Sequence, residues 1–246
     1  MAEIRPFACV RPCKEKAAKI AALPYDVYNR KEAKEEVLRE PESFLKIDRA
    51  ETQFDDSVNT YAPEVYQRAH DTLWNMIEKG DFIRDDKPCY YIYELTMNGR
   101  TQTGITACAS IDDYENNVIK KHENTRAEKE QDRICHVDIC DAQTGPIFLA
   151  YRDDDQITAI VAKVKKQDPE YDFTSPDGVR HRVWVIAKTI DISEIQKAFA
   201  GINQIYIADG HHRKICCSGQ ADKEERSGAD GNELRLCLCG TGCHGI

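Results

Sequence analysis

Gln204-Ile205-Tyr206-Ile207-Ala208-Asp209-Gly210-His211-His212-Arg213 begins as an apolar run and breaks into a glycine followed by three basic side chains. The run predicts a buried strand, and the break predicts a turn that leads into a helix. Glycine lets the backbone curl so that successive N–H groups converge on one spot, and the start of a helix adds partial positive charge there. Asp209, Gly210, His211, His212 and Arg213 are therefore candidates for holding a phosphate, with the Arg213 guanidinium able to grip two oxygens and an imidazole able to donate a proton. The plainer reading of so short a string is a polar connection whose histidines cap backbone carbonyls.

Outward from this stretch, helical and strand periods alternate. Lys14 to Ala22 reads as a short helix, Pro24-Tyr25-Asp26-Val27 as a turn or short strand, Arg30 to Glu40 as a charged helix, and Ser43 to Ile47 as a short strand. Val65, Ala69, Leu73, Trp74 and Ile77 recur at helical spacing between Pro63 and Lys79, with Gly80 as the stop. Cys89 to Leu95, Asn98-Gly99 and Gln102 to Ser110 predict a β-hairpin. Pro146 to Tyr151 reads as a buried strand, Gln156 to Lys166 and Ser193 to Phe199 as helices, and Tyr171 to Phe173 pairs with His181 to Ile186 across Ser175-Pro176-Asp177-Gly178. Trp74 and Trp184 are expected in the core. The fold class is α/β in the mixed α+β sense, with mixed sheets, flanking helices and a sheet left incomplete at the C-terminus.

The chain has 246 residues, 41% hydrophobic and 31% charged, with a formal charge of −9. That acidic balance argues against nucleic-acid binding, since phosphate backbones demand a basic surface. No apolar run approaches the ~20 residues that cross a bilayer, and the N-terminus has no signal-peptide core, so no membrane partner and a cytoplasmic location are expected. Of the eleven cysteines, Cys216, Cys217, Cys237, Cys239 and Cys243 crowd the residues after Arg213. Cys237, Cys239, Cys243 and His244 could hold zinc, but the spacing lacks paired Cys-x2-Cys knuckles, and neither zinc nor any other resident metal is expected.

A second polar constellation runs from Lys120 to Arg133. Its bland reading is a solvated helix laced with ion pairs. Its functional reading gathers Lys121, His122, Glu123, Thr125 and Arg126, with His136 and Asp138 close behind: cations for phosphoryl oxygens, a carboxylate for magnesium or for a hydroxyl proton, a hydroxyl, and an imidazole to orient the substrate. Asp26 is the alternative carboxylate.

Pro24-Tyr25-Asp26-Val27, Ser43-Phe44-Leu45, the Lys120 to Arg126 block, Thr144-Gly145-Pro146-Ile147-Phe148-Leu149 and Ala208 to Arg213 together resemble the domain-of-unknown-function family numbered 1015, over roughly residues 4 to 213. The resemblance implies that residues 1–213 are the N-terminal part of that family's domain. Family members continue into an alanine-rich helix and a second half. Residues 214–246 instead form a Cys/Gly-rich tail that suits neither strand nor helix, expected to be disordered or the product of a frameshift, with activity impaired in the shortened chain.

The Gly-His-His-Arg turn is also similar to the phosphate loop of the ParB and sulfiredoxin superfamily, whose members include CTP-binding partition proteins and free serine kinases. Sulfiredoxins carry a nucleophilic cysteine where this chain has His211, which excludes sulfinic acid reduction here. Family members lie beside serine-biosynthesis genes. The resemblance thus implies a nucleotide-dependent phosphotransferase using ATP or ADP with Mg2+ on a small hydroxyl metabolite such as serine. The alternatives are a ParB-like nucleotide-binding regulator without turnover and a phosphatase, the latter without an Asp-x-Asp or Cys-x5-Arg nucleophile motif.

Overall fold

The computed structural model describes residues 1–121 and 127–210 and the backbone of 238–242. Its strands, in chain order, are β1 (Ile4–Arg5), β2 (Val10–Pro12), β3 (Phe82–Arg84), β4 (Tyr90–Met97), β5 (Arg100–Thr106), β6 (Cys108–Ala109), β7 (Ile119–Lys120), β8 (Ile147–Tyr151), β9 (Tyr171–Thr174), β10 (Arg180–Ile186), β11 (Ile205–Asp209) and β12 (Leu238–Gly242). The α-helices are α1 (Ala17–Ile20), α2 (Arg30–Arg39), α3 (Leu45–Asp48), α4 (Pro63–Glu78), α5 (Ile111–Glu115), α6 (Ala127–Cys140), α7 (Asp155–Val164) and α8 (Thr189–Ala200). The chain divides into two compact units that interleave in sequence.

The first unit, Met1–Cys9, Asp85–Ile134 and Gly145–Ile246, is built on a sheet of order β7-β11-β8-β12-β5-β4-β10-β9. Its pairs are antiparallel except β7 with β11 and β8 with β12. The β4–β5 hairpin closes on Asn98 and Gly99 at φ 51° and 77°, the positive pair a two-residue hairpin turn requires. Strand alternation puts Tyr90, Ile92, Ile105, Ile147, Leu149, Trp184, Ile186, Ile205 and Ile207 into one core. Ile157, Ile160 and Val164 of α7 and Ile195, Ala198 and Phe199 of α8 join the same core. Each such aliphatic side chain contributes about 1.5–3 kcal/mol by leaving water.

Glu94, 0% exposed, is bonded by Lys165 and Arg182 and accepts the Thr103 hydroxyl at 2.7 Å. Burial alone would raise its carboxyl, but the bonds from Lys165 and Thr103 and the two nearby charges bring it below the usual range. The tail, expected to suit neither strand nor helix, supplies β12 between β8 and β5. The two flanking strands offer unpaired backbone groups on both sides, and ladder bonds make no demand for apolar side chains.

The second unit, Val10–Arg84 and Cys135–Thr144, packs Ile20, Ile47, Ala50, Val65, Ala69, Leu73, Met76, Phe82 and Cys140 together. α4 supplies four of these at helical spacing, begins with Pro63 at its first position and is followed by Gly80 at φ 79°. α2 starts with a capping box in which the Asn29 side chain accepts from Glu32 N–H and Glu32 accepts from Asn29 N–H. Ser43–Ile47, read as a strand, instead leads into α3: the Ser43 hydroxyl accepts the Leu45 N–H at 3.3 Å and the local bonds are helical. A five-residue stretch with three apolar side chains fits either period, and no strand among the described residues pairs with it. Trp74, expected in the core, is 37% exposed and donates its indole N–H to the Cys140 carbonyl at 3.1 Å. Trp184 is buried as expected.

Candidate anion-binding site

β7 and β11 run side by side in the same direction, with Ile205 opposite Ile119 and Tyr206 opposite Lys120. Lys121 therefore leaves β7 at the end of the sheet where Asp209 and Gly210 leave β11. β8 is antiparallel to β11 and starts at that end, and β12, parallel to β8, starts there as well. The motifs around Lys121, Gly145-Pro146-Ile147 and Asp209-Gly210, far apart in sequence, thus share one sheet end, and for β7 and β11 it is the carboxyl end, where open α/β sheets bind ligands.

The turn itself is shaped by two local features. The β11–β8 register slips between Ile207 and Asp209, so that Ala208 is an extra residue of a bulge. Gly210 then takes φ +85°, and a Cβ there would lie 3.4 Å from the Ile147 Cα. Only glycine adopts that conformation without strain. The Gly210 N–H, assigned from sequence to an incoming anion, donates to Asp209 Oδ1 at 2.7 Å. Asp209 Oδ2 has no partner among the described residues.

Lys121 is exposed, and its Nζ lies 3.8 Å from the centre of the Tyr114 ring. A cation over an aromatic face gains about 0.5–1 kcal/mol at an exposed site, which biases the ammonium toward one place without neutralising it. Sequence reading missed Tyr114, because the polar stretch gives no sign that α5 would bring a ring beneath this lysine. His122, Glu123 and Arg126, and His211, His212 and Arg213, lie outside the described residues, as do the side chains of the cysteine-rich tail. α6 begins at Ala127 with Glu128 and Glu130 in its first turn, so its own acids complement its positive end.

Asp26 and His136 belong to the second unit. Asp26 sits on a single 3-10 turn, Tyr25–Val27, with its carboxylate exposed and no hydrogen bond or ion pair among the described residues. His136 is 3% exposed, with Nε2 3.1 Å from the Ile47 carbonyl and Nδ1 3.9 Å from the Cys140 sulfur. A carbonyl only accepts, so Nε2 carries the proton and Nδ1 faces the thiol. Its position on α6 buries this imidazole, which the sequence reading offered beside His122 to orient the substrate.

Mg2+ takes one or two carboxylates and completes its shell with phosphate oxygens and water. Asp209, with one oxygen unbonded at the sheet end, meets that modest demand. Among the described residues no group of three or more His, Cys, Asp or Glu side chains could hold a metal by itself. No helix among them is long and apolar enough to cross a membrane.

A family model described as a protein of unknown function, DUF1015, matches residues 4–238. No curated protein and no solved structure matches the chain. With the match spanning nearly the whole sequence and every motif quoted for the resemblance, the chain belongs to the DUF1015 family.

Proposed function

We propose that this domain is a nucleotide-dependent phosphotransferase that uses ATP or ADP with Mg2+ and acts on a small hydroxyl metabolite, with free serine as the leading acceptor. The observation that carries the reading is the parallel β7–β11 pair, which sets the Lys121 and Asp209-Gly210 motifs at one sheet end. Phosphoryl transfer rests on positioning and charge neutralisation, and this end offers a turn shaped by Gly210 and, in Lys121, a cation with no ion-pair partner among the described residues.

In this scheme Gly210, His211, His212 and Arg213 hold the phosphates, while Lys121 and Arg126 offset charge on the moving phosphoryl group. Bound nucleotide would supply the phosphoryl group, Mg2+ would draw charge from its oxygens, and the second carboxylate oxygen of Asp209 would be one of the metal's ligands. Glu123 accepts the proton of the acceptor hydroxyl, and His122 orients the acceptor.

Phosphorus NMR of the purified chain with ATP, ADP or CTP, Mg2+ and serine tests the proposal. Appearance of a phosphomonoester signal that depends on serine supports it. Nucleotide that is bound but never consumed would favour a regulatory module instead, and release of inorganic phosphate from a phosphorylated metabolite without nucleotide would favour a phosphatase.

A further inference from the structure

Lys121 is anchored at both ends. At its base, Ile119 is buried and lies opposite Ile205, which ties β7 to β11 two residues before the lysine. At its tip, Nζ lies 3.8 Å from the centre of the Tyr114 ring. That ring is itself held, because Tyr114 packs against the core that contains Ile119 and Ile205. All of these residues belong to the first unit.

The partner that holds the ammonium carries no charge, although charged ones stand beside it. α5 reads Ile111-Asp112-Asp113-Tyr114-Glu115, three carboxylates around one ring. Asp113 is buried and accepts the Glu3 N–H at 2.6 Å, while Asp112 and Glu115 are exposed. None of the three forms an ion pair with Lys121 among the described residues. A carboxylate would hold the ammonium by cancelling its charge, whereas the ring holds it through its quadrupole and leaves the charge to an incoming anion. We infer that Tyr114 is the positioning residue of Lys121, keeping its ammonium ordered and uncancelled at the sheet end for a phosphoryl group to meet. That the incoming group is a phosphate rests on the phosphotransferase reading; the ring-held ammonium does not.

The sign of the effect follows from populations. An ammonium has three N–H donors, so the ring can keep one side of it while a phosphate oxygen takes a donor on the other, and the contact need not break on binding. A ligand that needs one lysine rotamer binds in proportion to the fraction already in it, and a cation over a ring at an exposed site enlarges that fraction about two- to fivefold. Tyr114→Phe keeps the ring, and Tyr114→Leu keeps an apolar side chain without one. In proton NMR of the whole chain, the ring should shift the Lys121 Hε protons upfield in the wild type and in Tyr114→Phe. In Tyr114→Leu they should return to the position of the other lysines. Amide signals of Ile119 and Ile205 report that the β7–β11 pair is intact in each variant. The dissociation constant for ATP with Mg2+ should rise about two- to fivefold in Tyr114→Leu and stay unchanged in Tyr114→Phe. In a Lys121→Ala background, Tyr114→Leu should change it no further, whereas a merely structural ring would weaken binding in both backgrounds.

Unshifted Lys121 protons in the wild type, or an equal loss of affinity with and without Lys121, would overturn the positioning role and leave the phosphate reading intact. Ring-shifted Lys121 protons in a wild-type chain that binds ATP neither with Mg2+ nor without it would sink the phosphate reading, and with it the role given to Tyr114.

Discussion

At the scale of single residues, Gly210 is the most constrained position at the sheet end. Gly210→Ala must hold a Cβ at φ +85° against Ile147, and the strain should lower unfolding stability by about 1–2 kcal/mol in urea denaturation. An unchanged midpoint would show that the turn relaxes freely. His181 makes a second case. Its Nδ1 accepts from the Tyr93 hydroxyl at 2.7 Å, Nε2 lies 2.9 Å from Ser175 Oγ, and its ring stacks on Phe173 at 5.0 Å. The Ser175 proton has Asp177 and the Val179 carbonyl as acceptors, so the imidazole donates to Ser175 and stays neutral. Burial holds its pKa below the ordinary 6.5, and the charge of Asp177 opposes that only in part. A depressed histidine stabilises the fold above its unfolded pKa and loses that contribution as pH falls through its folded pKa. The imidazole should titrate with a midpoint below 6.5 by proton NMR, and the drop in stability on acidification should shrink in His181→Gln. A midpoint above 6.5 would contradict the network. None of this was legible in the sequence, where His181 reads as an ordinary polar residue, and the same is true of His136, whose burial depends on Ile47, distant in the chain.

At the scale of elements, the readable ones carried their own punctuation. α4 has apolar residues at helical spacing and a terminal glycine, the β4–β5 hairpin has Asn98-Gly99, and β8 is an unbroken apolar run, so each was visible without its partners. α3 was not, because one turn of helix and one short strand present the same few apolar residues. The β4–β10 pair depends on a group that sequence alone gave no reason to single out. Glu94→Ala would leave Lys165 and Arg182 without their shared counter-charge and should cost about 3 kcal/mol, toward the low end for a broken buried pair because both cations reach solvent. Glu94→Gln, which keeps an acceptor for Thr103, should lose less. Equal losses in chemical denaturation would mean that charge is not what matters there. At the start of α2, Asn29→Ala removes one half of the capping box and should cost about 1 kcal/mol by the same measurement.

At the scale of the whole molecule, the α/β class followed from alternating periods, but the division into two interleaved units did not. β2 pairs with β3 across most of the second unit, Val10 opposite Arg84, and the β7–β11 pair joins Ile119 to Ile205. Such long-range pairings leave no local trace in composition or period. For the same reason the sequence could nominate the Lys121 and Gly210 motifs separately, yet only the parallel register sets them at one sheet end. The account stands or falls on that end receiving a phosphate-bearing ligand. Amide-resolved NMR titration of the chain with Mg2+ and ATP measures this directly: saturable shifts centred on Lys121, Asp209, Gly210 and Ile147 are expected. Saturable shifts confined to other parts of the molecule, or none at millimolar ATP, would contradict it.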